Sequence, residues 1–93
     1  MESTEGKVPW SMAAEMRQQL EEMRDRWSRI ADRLERYDAY AGSAARMCVA
    51  ELERAVRATD PEAAAQAVER FVDLATRLRP VVAELRAAAA LYA

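Results

Sequence analysis

The chain has 93 residues, enough for one small domain, and its 14 basic and 16 acidic side chains give a net charge of −2 at pH 7. This balance excludes a strongly basic field of the kind that draws a whole protein to nucleic acid or to anionic lipid. Only two Gly and three Pro occur, and Ala, Leu, Glu, Arg, Met and Gln dominate, so the composition favours α-helix and excludes a β-rich fold.

The first ten residues show no apolar periodicity, and we expect residues 1–10 to form a flexible tail ahead of one helical domain, residues 11–93. They do not resemble a signal peptide, and no apolar run in the chain is long enough to span a bilayer. We therefore expect a cytoplasmic protein, and the single cysteine, Cys48, is typical of a reducing compartment. Trp10, at the end of the tail, is expected to pack back onto the first helix, or alternatively to anchor a partner.

The strongest signal is a heptad-like stripe in the first predicted helix, for which Ser11 is a good N-cap. Its apolar residues follow one another in alternating steps of four and three residues, the a/d pattern of a coiled-coil seam. A core-facing helix of a monomeric bundle has the same spacing, so both interpretations stay open. Trp27 is predicted to be a central anchor of a partner interface or, alternatively, to fill the core. The first stripe consists of Met16, Leu20, Met23, Trp27, Ile30, Leu34 and Tyr37.

The first helix is predicted to end at Gly42-Ser43, because Gly ends helices and Ser caps them. One long helix kinked at Gly42 is the alternative, since an isolated Gly costs a helix only about 1 kcal/mol. A second, shorter helix is predicted over residues 44–58. Its inward-facing residues are predicted to be Cys48, Leu52, Ala55 and Val56.

A third helix is predicted to start at Asp60, which can cap it, with Pro61 in its first turn. Pro80 lies within this helix and is expected to kink or split it, because proline removes one backbone hydrogen bond. The apolar stripe continues across Pro80, with Val72, Leu74 and Val81 widening it. The stripe consists of Ala64, Val68, Phe71, Ala75, Leu78, Val82, Leu85, Ala89 and Tyr92, and its predicted contact residues are Phe71, Leu74, Leu78, Val82 and Leu85.

These elements predict an all-α fold, a bundle of three helices with coiled-coil-like packing. The middle helix, at about 23 Å, cannot cover two neighbours of about 45 Å each. Part of both stripes should therefore stay exposed in a monomer, and exposed apolar stripes usually mark an interface. We expect a homo-oligomer, or a helical protein partner, to cover them.

The arginines flank the first stripe. With Leu20 at heptad position a, Arg24 falls at e and Arg33 at g, where side chains help to choose partners. Arg24 and Arg33 are therefore candidate partner-binding residues for an acidic helix, the alternative being local pairs on the helix surface. Acids are interleaved with the arginines, so nucleic-acid binding is expected only within a larger complex, and membrane binding is not expected. Thirteen Arg against one Lys are typical of a GC-rich bacterial genome.

The residues do not predict a catalytic, cofactor-binding or metal site. The chain has no His, the commonest general base and metal ligand, and hence no Cys–His pair. Its two glycines do not form a phosphate-binding loop. We expect a non-enzymatic interaction module, either an oligomerising adaptor or a small helical subunit of a larger assembly.

The stretch Met16–Met23, with the sequence MRQQLEEM, resembles the opening helix of the helical chorismate mutases. Those enzymes are about this long, wind one long and two shorter helices into a dimer, and hold two carboxylates with Arg and Lys. The resemblance covers a single helix and implies, as an alternative, a small all-α dimeric enzyme. The chain departs from the family because Lys7 is its only Lys, because no Arg-Glu pair follows Asp60-Pro61, and because no Gln stands near its C-terminus.

Overall fold

A computed structural model of the chain describes residues 10–91, and within that range it contains three α-helices and no β-strand. Helix α1 spans Ala14–Tyr37, α2 spans Ala39–Arg57 and α3 spans Pro61–Leu91. The predicted all-α bundle of three helices is confirmed. Most of the predicted tail, together with Tyr92, lies outside the described residues. No helix in residues 10–91 combines the length and the apolar character needed to cross a membrane.

Helix α1 begins later than the sequence predicts. Its N-cap position is Ala13, which makes no side-chain capping bond, so the prediction that Ser11 caps this helix is wrong. The segment ahead of α1 packs on the bundle instead: Met12 is only 6% exposed and Trp10 lies against the core. Because the bundle covers these two side chains, the segment before Ala14 is more stable in a non-helical conformation than as an earlier start of α1. The prediction that Trp10 packs back on the bundle is confirmed.

A single residue, Asp38, separates α1 from α2. Its backbone is extended, and its N–H donates to the carbonyl oxygen of Leu34 at 2.8 Å, which closes α1. Its carboxylate accepts the N–H of Tyr40 at 2.9 Å, which caps α2. The predicted break at Gly42-Ser43 is therefore wrong, and so is the alternative of one kinked helix. The chain therefore turns at Asp38, whose carboxylate caps α2.

Gly42 lies inside α2 and allows α1 to approach it closely. A Cβ atom at Gly42 would lie 2.9 Å from the Cα of Glu35 on α1, a separation that real Cβ atoms do not show. Small side chains continue this inner face of α2, with Ala45, Cys48 and Ala55 fully buried. Because these side chains are short, both neighbouring helices pack tightly on α2. The four residues predicted to face inward, Cys48, Leu52, Ala55 and Val56, are all buried, as predicted.

Helix α3 starts as the sequence predicts. The carboxylate of Asp60 accepts the N–H of Ala63 at 2.8 Å, and Pro61 is the first helical residue. The helix then runs for 31 residues with Pro80 inside it, so the alternative in which Pro80 splits the helix is wrong. At 1.5 Å per residue, α3 is about 47 Å long, whereas α1 is about 36 Å and α2 about 29 Å.

Polar contacts hold α1 on α2 at both ends of the pair. The guanidinium group of Arg46 on α2 donates to Glu35 at 3.0 Å and to Asp32 at 2.5 Å, both on α1. The hydrogen bond from Arg46 to Glu35 holds the pKa of the Glu35 carboxyl below its ordinary value of 4.5. At the other end, Arg17 donates to the carbonyl oxygen of Val56 at 3.0 Å and so satisfies a carbonyl in the last turn of α2.

The backbones of α1 and α3 stay apart. Close backbone contacts join α2 to each of its neighbours, whereas α1 and α3 share at most isolated ones. Their side chains meet between them: the rings of Trp27 and Phe71 pack edge to face, with centroids 5.7 Å apart. The side of the bundle opposite α2 is therefore an open groove between two parallel helices.

Candidate helix-binding groove

The α1–α3 groove runs along most of the bundle, on the side away from α2. Its lower part, near the start of both helices, has a volume of about 620 Å³. Its upper part, near their ends, consists of two adjoining depressions of about 560 Å³ and 170 Å³. The lower part is lined by Trp10, Met12, Met16, Leu20, Pro61, Ala64, Ala65, Val68 and Glu69. The upper part is lined by Trp27, Ile30, Arg33, Leu34, Tyr37, Ala75, Arg79, Pro80, Val82, Ala83, Leu85, Arg86 and Ala89.

The floor of the groove is apolar and only half-covered. Trp27 and Ile30 on α1, with Val68 and Val82 on α3, are all half-buried in the bundle. Their uncovered area faces the groove, because α2 lies on the other side of the two helices. An apolar strip that is packed on one side and open on the other is typical of a surface that a partner covers.

Met16 and Tyr37, two exposed side chains, lie at the two ends of this apolar strip on α1. Met16, beside the lower part, is 54% exposed, and Tyr37, beside the upper part, is 65% exposed. Between them, at heptad spacing, lie the buried or half-buried members of the first stripe. The groove therefore spans about 32 Å from Met16 to Tyr37, or roughly six helical turns.

The charges along the groove are separated by sign. Arg33, Arg79 and Arg86 line the upper part, and no acidic side chain of the described range lines it. In the lower part the situation is reversed, since Glu69 is the charged residue in its lining. Among residues 10–91, the three upper arginines have no carboxylate within ion-pair distance. The upper rim can thus offer its guanidinium groups to an acidic partner surface.

The residues of the first stripe occupy different depths. Leu20 and Leu34 belong to the buried core, whereas Met23, Trp27 and Ile30 are half-buried against it. Six of the seven residues line the groove, and Met23 lies between Leu20 and Trp27 on the same helix face. The stripe that the sequence shows as uniform is therefore core at some positions and surface at others.

The two candidate arginines of α1 have different surroundings. Arg33 lines the upper groove. Arg24 does not line any part of it, and its side chain is 31% exposed and pairs with Asp25 at 3.3 Å. Heptad position e on α1 thus faces α2, because Arg17, one heptad earlier, reaches the carbonyl of Val56. Position g faces the open side.

The predicted contact stripe of α3 divides between two surfaces. Phe71 and Leu78 are buried, and Val82 and Leu85 line the upper groove. Leu74 instead lines a second apolar depression on the α2–α3 side, where Tyr40 is 83% exposed and Met47 54% exposed. Two groove residues, Glu69 and Met12, were not predicted from the sequence. The available signal was that Glu69 follows Val68 in the stripe of the third helix and that Met12 lies one helical turn before Met16.

A buried carboxylate lies on the same α2–α3 side. Glu51 is 9% exposed, and its Oε2 atom accepts a hydrogen bond from Arg54 at 2.8 Å. Arg70 on α3 lies 4.0 Å from Oε1, which has no hydrogen-bond partner within the described residues. The ion pair therefore joins α2 to α3, away from the groove.

Cys48 is the second chemically distinctive group of the core. Its side chain is fully buried on the inner face of α2. Burial raises the pKa of the Cys48 thiol to about 11, because the charged thiolate would lose its hydration. The group is therefore protonated at neutral pH and acts as a small apolar side chain.

No protein-family model, curated protein or solved structure matches this chain.

Proposed function

We propose that this protein is a non-enzymatic interaction module that binds an amphipathic helix along the α1–α3 groove. The observation that carries the proposal is the separation of the α1 and α3 backbones, with apolar depressions between the two helices near both of their ends. In a closed three-helix bundle, those two helices would cover each other's stripes. Here α2 packs against both α1 and α3, and several apolar side chains between these two helices are only partly buried.

The shape and length of the groove favour a helix as the bound element. Two parallel helices with a gap between them form the usual acceptor for a further helix, whose apolar face contacts both walls. The lower and upper parts of the groove lie along about six turns of α1, a length that matches a helix of ordinary size. Apolar side chains from such a helix would cover the exposed parts of Met16 and Tyr37 and exclude water from Trp27.

One observation favours the chorismate-mutase-like alternative. Arg33, Arg79 and Arg86 lie around the upper part of the groove, and arginine side chains bind carboxylates well. Turnover of chorismate by the purified protein would support this alternative. We favour the interaction module because the lining of both the lower and the upper part of the groove is mainly apolar, as a helix-binding surface requires.

Photo-crosslinking at two matched tyrosines tests the proposed function. Tyr37 lines the α1–α3 groove and Tyr40 lines the α2–α3 depression on the other side of the turn. Each is replaced, in separate variants, by the photoreactive analogue p-benzoylphenylalanine, which keeps the aromatic shape. The variants are expressed in the native host, and adducts are identified by mass spectrometry.

The expected result is a defined protein adduct at position 37 and none at position 40. Because both substitutions are conservative and both side chains are exposed, a difference between them reflects which face is covered. The absence of a protein adduct at position 37, or adducts at position 40 alone, would show that the α1–α3 groove is not the binding surface.

A further inference from the structure

We infer that the helix-binding groove takes a second copy of this chain, which lies antiparallel across it and forms a two-fold symmetric dimer. The inference rests on the proposed function and names its partner. It depends on three features of the groove: the separation of its charges, the symmetric placement of its exposed side chains, and its area.

The charges of the groove are complementary to those of an inverted copy. The upper part carries Arg33, Arg79 and Arg86, and the lower part carries Glu69. Glu62, an exposed residue in the first turn of α3, lies one heptad before Glu69 and adds a second carboxylate on the same helix face. In an antiparallel dimer, the basic upper part of each copy faces the acidic lower part of the other. A parallel arrangement would instead place like charges together, which disfavours association.

The exposed apolar side chains are placed symmetrically as well. Trp27 lies at the midpoint of the stripe that runs from Met16 to Tyr37. A two-fold axis that passes near Trp27, perpendicular to the helices, brings Met16 of one copy against Tyr37 of the other. Both side chains are more than half exposed in the single chain, and methionine sulfur makes favourable contacts with aromatic rings. Each copy contributes the same surface, as a symmetric dimer requires.

The area of the groove suits a stable dimer. A face about 32 Å long and about two helix diameters, or 20 Å, wide covers on the order of 640 Å² in projection. Accessible surface exceeds projected area, so the face approaches the roughly 800 Å² that each partner contributes to a standard interface. In the dimer, α1 and α3 of both copies form a central four-helix layer, and the two α2 helices lie outside it.

Charge reversal on either part of the groove tests the inference. The upper variant is Arg79→Glu with Arg86→Glu, and the lower variant is Glu62→Arg with Glu69→Arg. The control is Arg29→Glu with Arg36→Glu, which changes two exposed residues on the outer face of α1. Circular dichroism confirms that each variant is helical, and analytical ultracentrifugation of the full chain measures its dimer dissociation constant.

We expect the wild type and the control to dimerise, with weaker association at high salt. Each reversed charge contact should weaken dimerisation by about threefold. Because each variant has two substitutions and the symmetric dimer contains two chains, four contacts are reversed. Both groove variants should therefore lose roughly 30- to 100-fold in affinity. An equimolar mixture of the upper and lower variants should form heterodimers, because an acidic upper part then meets a basic lower part. The chain that carries all four substitutions should dimerise with itself again.

Recovery in the four-substitution chain distinguishes the two orientations. Its upper part is acidic and its lower part basic, so an antiparallel pair attracts, as in the wild type, whereas a parallel pair repels. A wild type that stays monomeric at all concentrations, or a dimer that is insensitive to the groove variants, would overturn the inference. If position 37 then crosslinks to a different protein, the proposed function stands while this inference fails. If position 37 does not crosslink to any protein, both fail.

Discussion

Trp27 of α1 and Phe71 of α3 meet edge to face, with ring centroids 5.7 Å apart and an interplanar angle of 87°. The two rings span the gap between helices whose backbones hardly touch. Edge-to-face pairs contribute about 0.5–1.5 kcal/mol beyond the area they bury. This pair therefore stabilises the bundle and also sets the width of the groove.

Replacement of Trp27 by Ala should lower the free energy of unfolding by about 2–3 kcal/mol, somewhat less than for a fully buried Trp because this ring is half-exposed. Trp27→Phe should lose about 1 kcal/mol, since it keeps an aromatic edge near Phe71. Urea denaturation followed by circular dichroism measures both values. Equal stability of Trp27→Ala and the wild type would mean that the ring contributes nothing to the fold of the single chain.

Gly42→Ala should destabilise the protein, although Ala is the better helix former. The added Cβ would lie 2.9 Å from the Cα of Glu35, so one helix must shift away from the other. Overpacking of this kind costs about 1–3 kcal/mol and outweighs the gain of roughly 1 kcal/mol in helix propensity. Thermal denaturation measures the change, and Ser43→Ala at the exposed neighbouring position is the control. A more stable Gly42→Ala variant would contradict the close approach of α1 and α2.

Asp38→Ala should cost about 1 kcal/mol, because the N–H groups at the start of α2 lose their capping acceptor. Asp38→Asn keeps an acceptor oxygen and should lose much less. The same two changes at Asp60, which caps α3, are a matched comparison and should have effects of similar size. Urea denaturation of the four variants tests this, and a neutral Asp38→Ala would show that the turn is held by packing alone.

The Arg46–Glu35 pair predicts a change in stability at acid pH. Because the pKa of Glu35 is lowered in the folded state from its ordinary value of 4.5, the pair stabilises the fold above that value, and this stabilisation is lost as pH falls through the lower folded value. Arg46→Gln should return the pKa of Glu35 towards 4.5. An NMR titration of the Glu35 carboxyl measures this shift, with Arg77→Gln, at an exposed pair with Asp73, as control. An unchanged Glu35 titration in Arg46→Gln would refute the assignment.

Cys48 should be unreactive in the folded protein. Burial raises the pKa of its thiol to about 11, so the reactive thiolate is scarce at neutral pH and is also shielded. A thiol reagent should modify it slowly in native buffer and rapidly in denaturant. Above the unfolded thiol pKa of about 8.5, stability should fall, because only the unfolded chain ionises easily. Cys48→Ala should lack this alkaline loss, and a fast native reaction would contradict the burial.

Local features of the sequence determined much of the fold. The alternating spacing of the first stripe identified α1, and the Asp60-Pro61 signal located the start of α3, because capping and helix periodicity act within one or two turns. The small inward residues of α2 were also predicted from spacing. The start of α1 and the turn at Asp38 were missed. At both places the packed structure decided the outcome: Met12 is buried ahead of α1, and Asp38 rather than Ser43 caps α2.

Only the tertiary structure decided which parts of the stripes are core and which are groove. Trp27 and Leu34 share one heptad pattern, yet Leu34 is buried while Trp27 remains half-open. The reason is the small-residue face of α2, which draws both long helices onto itself and leaves them apart from each other. A sequence pattern specifies the face of a helix, but the distance between two helices depends on every side chain packed around them.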